Sequence, residues 1–202
     1  MNDIERIQRL RLLDDDFMRV IFQDWNCCQL LLEILLGRND IKNLYGKSIC
    51  LDVWIHTNQN ETINVEVQRN EKGAHPKRVR YHASLMDTHT SMLHGEFKEL
   101  EDMYVVSITE TNVFKQDLPI YHIERTMKKT EEDFNDGMHI MYLNASKQEN
   151  TAIGCLMHDF NCTNASDMYY ETLRNRVRYY KEDEGGIRTM CKIWDDVRQE
   201  EI

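Results

Sequence analysis

Residues 49–70 read ICLDVWIHTNQNETINVEVQRN, and their alternation decides the fold. From Ser48 to Thr57, Ile49, Leu51, Val53 and Ile55 fall on one side of an extended chain, and Cys50, Asp52, Trp54 and His56 on the other. From Glu61 to Asn70, Ile63, Val65 and Val67 share a side, opposite Asn64, Glu66, Gln68 and Asn70. A side-chain period of two marks a β-strand. Asn58-Gln59-Asn60 between the runs is turn chemistry, so the segment reads as a hairpin. A turn centred on Gln59 pairs Val53 with Val65, Ile55 with Ile63 and Leu51 with Val67. On the other face it pairs Asp52 with Glu66, Cys50 with Gln68 and Trp54 with Asn64.

The first of those faces is wholly apolar and belongs to a core. The second sets two carboxylates across the ladder from each other, about 5 Å apart in ordinary pair geometry, where like charges repel. A shared proton or a divalent cation relieves that repulsion. Carboxylate oxygens suit Mg²⁺ or Mn²⁺ rather than zinc, and such an ion keeps positions for water or phosphate oxygens. That is an arrangement for phosphodiester hydrolysis. A hairpin whose polar face is merely solvated has the same alternation, and pattern alone leaves both readings open.

Outward from the hairpin, Asp14-Asp15-Asp16 precede Phe17, Val20, Ile21 and Trp25 at helical spacing. Asn26 reads as a second cap, for a helix carrying Leu30, Leu31, Ile34 and Leu35 and ended by Gly37, with Glu33 among the apolar positions. Pro76 opens a helix with Val79, Ala83, Met86 and Leu93 on its apolar face. Met103 to Thr109 reads as a central strand, with further strands at Pro119 to Glu124 and His139 to Asn144. Thr151 to Phe160 is helical, Ser166 caps another helix, and Gly185-Gly186 separates it from a last amphipathic one. His75, His82 and His89 recur every seven residues, a stripe able to bind metal or move protons, or simply a polar helix flank.

The 202 residues suit one domain of ordinary size, and 41% apolar with 30% charged residues is a globular mixture. The formal net charge of −10 argues against a passive nucleic-acid coat but permits an enzyme with a local basic patch. Residues 69–80 supply one: Arg69, Lys72, Lys77, Arg78 and Arg80 against the single acid Glu71. The charged first fourteen residues lack the apolar stretch of a secretory signal, and no apolar run approaches the roughly 18–20 residues of a membrane helix. The expectation is a cytoplasmic protein with no membrane partner, in which the six cysteines are free and mostly buried thiols. Cys155, His158 and Cys162 have a spacing that a helix aligns, with Cys191 as a fourth zinc ligand; a small-residue helix face with one histidine explains the same pattern.

Taken in order, Asp15-Asp16-Phe17-Met18, Leu31-Leu32-Glu33, Asp52, Glu66-Val67-Gln68, Arg78-Val79-Arg80-Tyr81, Leu118-Pro119-Ile120-Tyr121, Asp136-Gly137 and Met157-His158-Asp159-Phe160 form a series along nearly the whole chain. That series resembles the PD-(D/E)XK nuclease superfamily, and within it the bacterial recombination-promoting nuclease or PD-(D/E)XK nuclease family transposase group. The resemblance implies that Asp52 and Glu66 are metal ligands, with the Val67 carbonyl beside them. It casts Glu33 as the helix carboxylate that such nucleases bring to the metal. Gln68 stands where the superfamily usually has lysine. A neutral amide orients by hydrogen bonds but brings no positive charge to the transition state. Arg78, Arg80 and Tyr81 are implied phosphate contacts, with Arg69, Lys72 and Lys77 extending the basic stretch.

The resulting expectation is an α/β (mixed α+β) chain. A restriction-endonuclease-like core, with a central mixed sheet flanked by helices, covers residues 1–146, and a helical C-terminal region covers 147–202. Its expected function is Mg²⁺- or Mn²⁺-dependent DNA endonuclease activity linked to recombination or mobile elements. A homodimer is compatible with double-strand cutting. Two rivals stay open: a nuclease-fold binding module without catalysis, and a metal-dependent phosphohydrolase acting on RNA or nucleotides.

Overall fold

The computed structural model describes residues 3–39, 41, 53–70, 73–90 and 96–200. Helix α1 (Asp3–Arg9) buries Ile7, and α2 (Asp15–Ile21) buries Phe17, Met18, Val20 and Ile21. Helix α3 (Trp25–Leu36) is capped by Asp24 rather than Asn26: the Asp24 carboxylate accepts the Asn26 and Cys27 amides. Both residues are competent caps. Asp24 wins because the helix starts two residues earlier than the apolar stripe suggests. Gly37, at φ 65°, closes α3 in the left-handed conformation that glycine adopts without strain.

Strands β1 (Val53–His56) and β2 (Glu61–Gln68) form the expected hairpin. Val53 pairs with Val65, Trp54 with Asn64 and Ile55 with Ile63, the register read from the alternation. Asn60 takes φ 61°, which ends a three-residue loop without a glycine. The Thr57 amide donates to the Glu61 carbonyl across the loop's base (2.9 Å). Asp52, Cys50 and Leu51, whose pairings were expected here, lie outside the described residues, as does Lys72.

Helix α4 (Pro76–Thr90) follows, then a 3₁₀ turn and strands β3 (Asp102–Thr109), β4 (Ile120–Ile123) and β5 (Met138–Asn144). Gly137, at φ 72° beside the Asp102 side chain, takes the left-handed conformation that glycine adopts without strain. The sheet order is β1-β2-β3-β5-β4, with β2, β3 and β5 parallel and both outer strands antiparallel to their neighbours. Met103 to Thr109 is thus the central strand, as expected. Helices α5 (Ala152–Asn161), α6 (Glu171–Glu182) and α7 (Glu184–Glu200) complete the chain.

Two of the later helix starts differ from the sequence reading. Ser166 sits in a 3₁₀ turn, and α6 starts only at Glu171 because the buried Asp159 carboxylate holds the Tyr169 and Tyr170 amides. The break before α7 falls at Asp183, and Gly185 and Gly186 lie in its first turn, where a β-carbon on Gly186 would meet the Tyr179 carbonyl.

The sheet divides two apolar layers. On one side Val65, Val67, Val106, Ile108 and Leu143 share a core with buried residues of α1, α2, α3, α5, α6 and α7. On the other, Val79, Ala83 and Met86 of α4 pack with Met103, Val105 and Tyr142. The consequence for β2 is direct: its polar side lies beneath α4, and every residue from Glu61 to Val67 is buried. No helix among the described residues is long and apolar enough to cross a membrane.

Candidate active site

Helix α4 is held over β2 at its N-terminal end. Across the parallel ladder Glu66 pairs with Ser107, and Ser107 with Tyr142. The Tyr142 hydroxyl donates to the Ala74 carbonyl (3.0 Å) and ties the loop before α4 to the sheet. Burial pushes this phenol up, against the lowering effect of its bond with Ser107, so it acts as a donor. From that anchor α4 lays Arg78 and His82 over the polar side of β2.

The Glu66 side chain is only 4% exposed. Asn64 Nδ2 donates to its Oε1 at 3.4 Å, His82 Nδ1 lies 3.4 Å from the same oxygen, and Arg78 Nη2 reaches Oε2 at 3.4 Å. Donors from the strand and from α4 thus approach both oxygens of this carboxylate. His82 and Asn64 are themselves buried, with His82 Nδ1 3.3 Å from Asn64 Nδ2. Asn64 Oδ1 is a buried oxygen with no hydrogen-bond partner, and a buried acceptor left unpaired is costly. A buried carboxylate beside an amide oxygen without a hydrogen-bond partner has the hard-oxygen donor chemistry that fits a divalent cation.

Gln68 lines the same crevice as Glu66, Arg78 and His82. Its Oε1 lies where a β-carbon would stand at Gly73, close to the loop before α4. The side chain also borders a larger cleft of about 570 Å³ on the far side of the strand end, lined by Asp15, Asp16, Asn70 and Trp194.

The expected site residues separate into groups. Glu66, Gln68 and Arg78 come together, while Asp52, expected opposite Glu66, is outside the described residues. Val67 faces the other layer and is buried in the core there. Glu33 is half-buried on α3 and accepts a bond from Gln29 (2.9 Å). The buried leucines of its helix share the core with Val65 and Val67, on the side of the sheet away from Glu66. Lys77, Arg80 and Tyr81 are exposed on the outer side of α4. Arg69 points the other way and bridges Asp14 (2.5 Å) and Glu110 (3.0 Å), with Arg11 completing the cluster on Glu110 (2.8 Å). Burial works to raise the Glu110 carboxyl, but hydrogen bonds from Arg11 and Arg69 outweigh it and hold the group low.

His82 and Asn64 were given no definite part by the sequence. The signal was present in the seven-residue histidine recurrence. Of that stripe, His82 meets Glu66, His89 packs against Trp54 (ring centroids 5.1 Å) and His75 accepts the Lys77 amide at the helix start (3.0 Å).

A family model described as PD-(D/E)XK nuclease family transposase matches residues 31–156. The matched span runs from α3 into α5 and contains the whole hairpin and α4. No curated protein and no solved structure matches the chain.

Proposed function

The chain belongs to the PD-(D/E)XK nuclease family transposase family, and from that premise we propose that it is a divalent-metal-dependent DNA endonuclease centred on Glu66. The observation that carries the proposal is the buried Glu66 carboxylate, ringed at 3.4 Å by Asn64, His82 and Arg78. Asp52, next in sequence to Val53, joins Glu66 as the second carboxylate ligand, with the Val67 carbonyl beside it. A bound Mg²⁺ or Mn²⁺ supplies charge to a phosphate oxygen and lowers the pKa of water.

The chain's own residues have separable parts. His82 and Asn64 fix which way the Glu66 oxygens point, as hydrogen-bonded partners of metal ligands do. Arg78, half exposed beside Glu66, is placed to meet a phosphate at the crevice mouth. Lys77, Arg80 and Tyr81 extend that contact along the outer face of α4, where backbone contacts position DNA without reading its sequence. Arg69 acts as a strut, its charge matched by Asp14 and Glu110. Gln68 orients a water or phosphate oxygen by its amide. Glu33 lies on α3, behind the opposite face of the sheet, and is assigned no metal contact at Glu66.

The test is cleavage of supercoiled plasmid with Mg²⁺ or Mn²⁺ by wild type, Asp52→Ala and Glu66→Ala. Loss of cleavage in both variants is expected; cleavage that survives either substitution overturns the assignment. The neutral Gln68 favours a second reading, a binding module with the same fold. That reading predicts DNA binding with no cleavage by the wild-type chain under either metal. Turnover of RNA alone in a substrate panel points instead to an RNA-directed phosphohydrolase.

A further inference from the structure

The end of α5 gathers a second, chemically different group of ligands. His158, Asp159 and Cys162 place one nitrogen, one oxygen and one sulfur within 4.8 Å of one another. Cys162 Sγ lies 3.5 Å from His158 Nδ1, and the same nitrogen lies 3.3 Å from Asp159 Oδ1. A tetrahedral zinc ion, about 2.3 Å from sulfur and about 2.0–2.1 Å from nitrogen or oxygen, spaces its ligands by about 3.5 Å and about 3.3 Å along those two edges. Cys155 and Cys191, which the sequence offered as companions, are not in the group; Asp159 takes their place. From this geometry we propose that His158, Asp159 and Cys162 form a zinc site with one coordination position open to solvent.

The surroundings suit that role. Asp159 is fully buried, and the Tyr169 and Tyr170 amides fix its two oxygens at 2.7 and 2.9 Å. Such bonds orient a ligating carboxylate while leaving lone pairs for an ion. The Tyr169 ring packs edge-on to His158 at 4.7 Å and limits its rotation. His158 and Cys162 are half-buried, so the ion has a path in. The Asp159 and Asp167 carboxylates favour a cation at this point, and Lys181 opposes it. A thiolate and an imidazole select zinc over Mg²⁺, so this site is separable from the one on β2.

Co²⁺ titration of the chelator-treated full chain tests the proposal, because Co²⁺ bound to a thiolate absorbs by charge transfer from sulfur. One equivalent should give that band, and Zn²⁺ should abolish it by displacement. Cys162→Ser should lose the band, and His158→Gln should weaken binding by at least roughly tenfold. Glu66→Gln should leave the band intact. Absence of the band in wild type overturns the proposal, as does its full persistence in Cys162→Ser. If Cys162→Ser does not fold by circular dichroism, His158→Gln decides, and unchanged affinity there overturns it.

Discussion

Strand β2 buries two glutamates, Glu61 and Glu66, near its opposite ends and on opposite faces, and holds them differently. Glu61 accepts the Thr57 hydroxyl at 2.9 Å and a short bond from Arg38, which also donates to Gln59 at 2.8 Å. Those partners all belong to the hairpin turn or the end of α3, and the carboxylate closes that corner of the fold. Glu66 instead has Asn64, Arg78 and His82 among its neighbours, each at 3.4 Å. Burial alone therefore does not mark a functional carboxylate. The setting does: Glu66 shares the crevice under α4 with Gln68, Arg78 and His82, whereas Glu61 faces the hairpin turn.

The largest expected effect separates these two residues. Glu66→Gln should lower plasmid cleavage by at least about 10²-fold, the scale of losing one electrostatic group at a reacting centre, with little change in urea midpoint. Glu61→Ala should do the reverse. It removes the acceptor of the Arg38 and Thr57 bonds, and losing a buried partner costs about 1–3 kcal/mol, measured by urea denaturation. Equal losses of stability in the two variants would erase the distinction.

Next in size is His82. If it orients Glu66, His82→Leu should weaken Mn²⁺ binding by about 10–100-fold, read by calorimetry, and His82→Gln should restore part of it. A uniform loss of stability with unchanged metal affinity would make His82 packing alone. A smaller effect is expected from Arg78→Ala, which should reduce the salt dependence of DNA binding by one phosphate contact, a slope change of about 0.9. Arg69→Ala should leave that slope unchanged, because Arg69 is matched by Asp14 and Glu110. The smallest change is expected for Glu33→Gln. Its helix packs behind the opposite face, so a cleavage loss approaching that of Glu66→Gln would show that α3 reaches around the sheet edge.

The hairpin and its register were legible because a strict period of two and a short polar turn leave one consistent pairing. The burial of the polar face was not. His82 reads as a polar position on α4, and nothing local says that Tyr142 will tie the preceding loop down through Ala74. The start of α6 was hidden for the same reason: Asp159 sets it from ten residues away through the Tyr169 amide. The basic stretch was legible as composition, yet strand alternation sends Arg69 to the face away from Gln68, and a distant pair, Asp14 and Glu110, decides its partners. Helix α1 contributes Ile7 as its one buried residue, too weak a stripe for periodicity to register.

The proposed function puts a divalent cation at Glu66 on the α4 side of β2, with Asp52 as its companion. Anomalous diffraction from a crystal grown with Mn²⁺ tests it most directly. A peak is expected within coordination distance, about 2.0–2.3 Å, of one Glu66 and one Asp52 oxygen. A Mn²⁺-saturated crystal with no peak at Glu66, or with the Asp52 carboxylate on the opposite face of the sheet, would contradict it.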